Sequence, residues 1–252
     1  LLRGARLHQP ARPEDRAMTQ PSDNRFVWWA GVAAIVGGFM AIVLTPPFAI
    51  AYFIAYPGFD TVPPWVVDNL LALAPLLAFD TPVAVYNTYG KVFDVVYALF
   101  LPAAFALHHL HRHARARLEK VGFGILVVGL TATFLGVAGD YWLDGAGFMI
   151  EFLGLLILAL GASLYGIALL RSNRMPRGWS WSLVACGPGS FVSFALIGHV
   201  PSGQTFPFAV CWVMLGVLLC FGQGARRAIS RPAVETASLN EAEATTLDAK
   251  QP

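Results

Sequence analysis

The stretch Gly147–Leu170 reads GFMIEFLGLLILALGASLYGIALL, and its only charged residue is Glu151. A helix of that length rises about 36 Å, enough to cross a hydrocarbon core of about 30 Å. Lipid offers no partner to backbone N–H and C=O groups, so a segment this apolar must be a helix or a strand of a closed barrel. Barrel strands alternate apolar and polar residues. This stretch does not alternate, so it is read as a membrane-spanning helix.

Blocks of the same kind recur on both sides of it, at 27–54, 90–110, 121–142, 179–199 and 206–224. The 252-residue chain is 56% hydrophobic and 13% charged, against about 25% charged in a soluble domain. The expectation is an all-α integral membrane protein, a six-transmembrane-helix bundle over 26–224. Residues 1–25 and 225–252 have the polar composition of disordered segments. Residues 1–17, ahead of Met18, read as an upstream extension outside the fold, and the first block as a retained signal-anchor. Thr45-Pro46-Pro47 and Gly187-Pro188-Gly189 lie inside blocks, where proline removes a backbone donor, so a kink or break is expected at each.

One further stretch could change the count. Trp65–Phe79, WVVDNLLALAPLLAF, is apolar but short, and Asp68, Asn69 and Pro75 interrupt it. It is read as an interfacial or re-entrant helix within an outer loop, 55–89. Asp80-Thr81-Pro82 has the pattern of a helix start, with Pro at the first helical position. Basic residues support this reading. Sixteen of the 17 Lys and Arg fall in the N-terminal segment, the 111–120 and 171–178 loops or the tail. With six spans these all share one side, which the positive-inside rule makes cytoplasmic. A seventh span at 65–79 would split them. The expected location is therefore the plasma membrane, multi-pass, with both termini in the cytoplasm.

The ionisable groups left inside or beside the spans are Lys91, Asp94, Asp140, Asp144, Glu151 and His199. The topology sets all six near the outer face, on four helices, and they are read as a candidate polar vestibule. Ser202, Gln204 and Thr205 sit in the adjoining loop. Ionisable residues in spans mark function by default, but a charge one turn from the interface can snorkel to water, so the plainer reading is interfacial charge. Carboxylates and one His can ligate a divalent cation, yet no two of them have a diagnostic ligand spacing. No metal ligand or catalytic residue is assigned.

A second cluster, His109, Arg112, His113, Arg115 and Arg117, marks the cytoplasmic end of the second span. His109 and His113 are four apart and could ligate from one helix face, but the arginines repel a cation. The cluster is read as a basic helix end facing anionic headgroups. A bis-His haem would need facing histidines inside the bilayer, and His108, His109 and His199 lie at opposite ends. Cys186, Cys211 and Cys220 sit in apolar blocks and read as small hydrophobes. Ser163, Ser190 and Ser193 read as hydroxyls bonding within or between helices. No nucleotide-binding glycine loop is present.

Three functions are consistent with these residues. The first is a non-catalytic accessory, scaffold or sensor protein, which needs nothing further. The second is a small-molecule transporter or ligand-binding protein using the outward vestibule. The third is a membrane-embedded hydrolase-like enzyme with Asp140 or Glu151 as base and His199 as ligand or acid. No cofactor is expected. The expected partners are the bilayer and other membrane helices, not nucleic acid, and no residue pattern names a small-molecule ligand.

Overall fold

The computed structural model describes residues 21–58, 61–110, 116–143, 145–173 and 175–222. Seven helices carry the fold: α1 (Pro21–Ala55), α2 (Pro64–Leu77), α3 (Pro82–Leu110), α4 (Arg117–Trp142), α5 (Phe148–Ser172), α6 (Arg177–Ile197) and α7 (Ser202–Gly222). All except α2 are long and apolar enough to cross a membrane, six in total among the described residues. No strand occurs among those residues. The fold is an all-α helical bundle.

Helix α2, at 14 residues, is too short to span. It lies against α1 through Val66, Leu73 and Leu77, which meet Ile50 and Phe53. The Trp65 indole N–H donates to the Leu196 carbonyl at 3.0 Å, and the Tyr89 hydroxyl donates to the Leu76 carbonyl at 2.9 Å. Both ends of α2 are thereby tied to neighbouring helices.

Glycines spaced by seven set the closest packing. Gly122, Gly129 and Gly136 of α4 lie against the backbones of Tyr165, Leu158 and Glu151, while Gly154 and Gly161 of α5 lie against Thr133 and Leu126. The antiparallel pair interlocks because each glycine offers no Cβ where the partner backbone passes. Gly31 and Gly38 repeat the device in α1, meeting Gly216 and Ala209 of α7.

The prolines do not end their helices. Helix α1 runs through Pro46-Pro47 to Ala55, and α6 runs through Pro188, where the sequence had suggested a kink or break. Pro188 cannot bond the Val184 carbonyl four residues back. The Ser163 hydroxyl of α5 donates to that carbonyl instead, at 3.0 Å. Pro207 likewise frees the Gly203 carbonyl, and the Ser193 hydroxyl of α6 donates to it at 2.6 Å. Neighbouring hydroxyls satisfy groups that lipid cannot.

The ends differ modestly from the spans read in the sequence. Helix α3 starts at Pro82, as the Asp80-Thr81-Pro82 pattern indicates, ahead of the apolar span read at 90–110, because Pro82 is pre-set for a first turn. Helix α6 stops at Ile197 rather than 199. Gly198 takes a left-handed φ of 77° and its N–H donates to the Phe194 carbonyl at 2.7 Å, ending the helix and turning the chain at the residue before His199. Residues 1–20 and 223–252, which contain the two terminal segments apart from 21–25, lie outside the described residues.

Candidate functional site

His199 occupies the short joint between α6 and α7. Its side chain is 2% exposed. The Phe48 and Tyr52 rings of α1 pack against the imidazole, with centroids 4.7 and 4.8 Å away. Nδ1 lies 2.8 Å from the Ser202 hydroxyl and Nε2 lies 3.4 Å from the Tyr86 hydroxyl of α3. Tyr86 in turn shares a 2.8 Å hydrogen bond with the Tyr141 hydroxyl of α4. A chain of neutral groups, Ser202–His199–Tyr86–Tyr141, thus runs from the joint into the bundle.

Helix α5 adds Glu151, 1% exposed. Its position follows from Gly136, which lets the α5 backbone approach α4 at Glu151 and directs this turn inward. Glu151 is within electrostatic reach of Tyr86, Tyr97 and Tyr141. Its Oε2 has no hydrogen-bond partner among the described residues, and neither do the buried Gln204 Oε1 and Asp94 Oδ1. Tyr97 is hydrogen-bonded to Thr205, whose hydroxyl also bonds the Pro201 carbonyl at 2.8 Å. Five helices and the joint therefore meet in one buried cluster.

The vestibule residues divide accordingly. His199 and Glu151 are inside, sealed beneath aromatic rings rather than open to solvent. Asp94 and Asp140 are half-buried at its flank. Lys91 points elsewhere, with its ammonium 4.8 Å from the centroid of the Trp142 ring, a cation–π contact at the bundle edge. Asp144 lies outside the described residues. Among those residues no three His, Cys, Asp or Glu side chains are grouped so as to hold a metal. At the opposite end, Arg112, His113 and Arg115 are outside the described residues; Arg117 is exposed and His109 half-buried, while His108 stacks on Phe123 with centroids 3.8 Å apart.

The sequence reading missed the tyrosines. Tyr86, Phe93, Tyr97 and Phe100 recur at three, four and seven residues along α3, the spacing of one helix face, and Tyr52 of α1 has Tyr56 four residues on, just past the helix end. Such a stripe reads as ordinary core until a histidine is known to sit against it.

Burial sets the chemistry of His199. An imidazolium here would have two neutral hydroxyls and a ring cage for company, so desolvation pushes its pKa down from 6.5 to about 3. The imidazole is neutral at ordinary pH. Beside it Ser202, Gln204 and Thr205 are at most 4% exposed. A small apolar cavity does occur nearer the other end, lined by Leu107, Phe123, Leu126, Tyr165, Trp179 and Trp212, but it carries no polar surface.

No family model, curated protein or solved structure matches this chain.

Proposed function

We propose that this protein is a non-catalytic membrane sensor whose responsive element is the His199 joint. It sits in the plasma membrane with both termini in the cytoplasm, so that His199 faces outward. The orientation is supported by the placement of sixteen of 17 Lys and Arg at the other end of the bundle or in the terminal segments. The sensing role is supported by one observation above all: a histidine at a helix–helix joint, caged by aromatic rings and hydrogen-bonded only through neutral hydroxyls.

Such a group is a latch that acid opens. Released to water, the imidazole returns to a pKa near 6.5, whereas in the closed joint burial holds it at about 3. Between those values the open form binds more protons. Closed-state stability is therefore fully present above about pH 6.5 and falls as pH drops, by at most about 1.4 kcal/mol per pH unit. The titratable groups packed nearby are Tyr52 of α1, Tyr56 just past its end, Tyr86 of α3, Asp140 and Tyr141 of α4 and Glu151 of α5. Of these only the carboxyls of Asp140 and Glu151 could oppose the latch, by stabilising an imidazolium in the closed joint, and the hydrogen bonds of His199 go to Ser202 and Tyr86 instead.

The transporter and enzyme readings receive less support, because the cluster is buried rather than open to solvent and both nitrogens of its histidine face hydroxyls of the chain. The test is hydrogen–deuterium exchange across residues 195–205 in liposomes, from pH 8 to pH 4. After correction for intrinsic exchange, uptake in the wild type should rise as pH falls below about 6.5. In His199→Gln, which keeps polarity but cannot charge, the rise should vanish. Parallel profiles for the two proteins would end the proposal.

A further inference from the structure

The outer segment around α2 carries a surface that the acid latch does not use. Helix α2 has three faces. Val66, Leu73 and Leu77 face the bundle. Asp68 lies on the side turned away from them and is exposed. Between those two faces runs a bare apolar stripe, Val67, Leu70 and Leu71, with the half-buried Ala74 one turn on; Leu71 is 87% exposed.

That arrangement has one natural environment. A helix wholly in water would not leave a leucine stripe uncovered beside a polar face, and a helix buried in protein would not leave Asp68 free to solvent. A helix in the headgroup–acyl boundary satisfies all three faces, with protein on one flank, acyl chains below and water above. The bare stripe is also continuous with surfaces that must meet lipid. The Trp65 end of α2 is bonded to Leu196, itself 66% exposed on the spanning helix α6, and the other end leads within five residues to Pro82 and the exposed Val83 of α3.

Charge narrows the partner. From 55 to 90 the chain has Asp60, Asp68 and Asp80 and no Lys or Arg. A segment with this balance gains nothing from anionic headgroups, which attract basic residues. We propose that α2 is a lipid-embedded arm whose stripe Val67–Leu70–Leu71 inserts into a neutral, zwitterionic leaflet. The arm is joined to the latch. A Cβ on Gly198 would lie 3.1 Å from Pro63, and the Trp65 indole grips the last turn of α6, so α2 and the His199 joint are held together. The inference stands whether or not the joint responds to acid.

The test places a nitroxide at Leu71→Cys or Asp68→Cys in a chain otherwise free of cysteine, reconstituted in phosphatidylcholine vesicles. Collision with dissolved oxygen and with a water-soluble nickel chelate is then measured. The oxygen-to-nickel ratio should be several-fold higher at 71 than at 68, and unchanged when phosphatidylglycerol is added. Equal ratios, exclusion of both reagents from 71 by a second copy of the chain, or a ratio that follows anionic lipid would each overturn it. The unaltered protein gives an independent reading: a photoactivatable phosphatidylcholine should crosslink to the peptide holding Val67–Leu71, and absence of that crosslink would count against insertion.

Discussion

At His199 and its neighbours the energetics turn on which hydroxyl serves which partner. The Tyr86 hydroxyl contacts both His199 and Tyr141, so Tyr86→Phe keeps the ring packing against Phe48 and removes only the link. A buried polar group left unserved costs about 1–3 kcal/mol. The variant should therefore unfold at a lower temperature in detergent, by an amount that Tyr141→Phe does not add to in full, because the two act on one bond. Glu151 behaves oppositely. One of its oxygens has no partner, and replacing a buried, poorly served polar group with an apolar one of similar shape is neutral or stabilising. Glu151→Met should keep or raise the melting temperature. A fall as large as that for Tyr86→Phe would show that the carboxyl supports the cluster structurally.

At the scale of elements, the glycine repeats and the proline–serine pairs carry the packing. A Cβ on Gly129 would collide with the Leu158 backbone, whereas one on Gly124 meets nothing within 4 Å. Gly129→Ala must push α4 and α5 apart and should destabilise by about 1–3 kcal/mol, as overpacking does, while Gly124→Ala should be harmless. Thermal melts of both separate close packing from a general intolerance of the helix to alanine. The Ser163–Pro188 relation allows a sharper check. Ser163→Ala orphans the Val184 carbonyl, and Pro188→Ala restores that carbonyl's own helical donor, so the double variant should recover most of the loss. These elements also mark what the sequence makes legible. Long apolar blocks identify the spans because lipid forces helicity, and Pro82 announces the start of α3. The glycines that control the packing recur at spacing seven along α4, a pattern that the hydropathy of the blocks conceals. The site was legible in part. His199 and Glu151 stand out as ionisable residues near spans, but depth along a helix says nothing about rotation. Whether they faced water, lipid or the bundle interior depended on Gly136 and on the turn at Gly198, both tertiary facts.

The whole molecule adds the question of which way it faces. Helices alone are indifferent to orientation; the asymmetry of Lys and Arg is what selects it, because basic loops resist translocation. The joints at Thr61 and Ala146 belong to one end of the bundle, and those at Ala116 and Gly178 belong to the other, and all four positions are exposed. Single cysteines at these positions, in a chain with Cys186, Cys211 and Cys220 replaced, give a direct reading. In intact cells Thr61→Cys and Ala146→Cys should react with a membrane-impermeant maleimide, while Ala116→Cys and Gly178→Cys should react only after permeabilisation. Labelling at 116 or 178 in intact cells would invert the protein, place His199 in the cytoplasm and remove an acidifying exterior as its stimulus. Labelling at 61 together with protection at 146 would instead mean that α3 and α4 do not both cross, because the two positions are separated by those two helices and by α2. The acid latch and the lipid arm both lie at the Thr61 end, so this one experiment sets the side from which each of them acts.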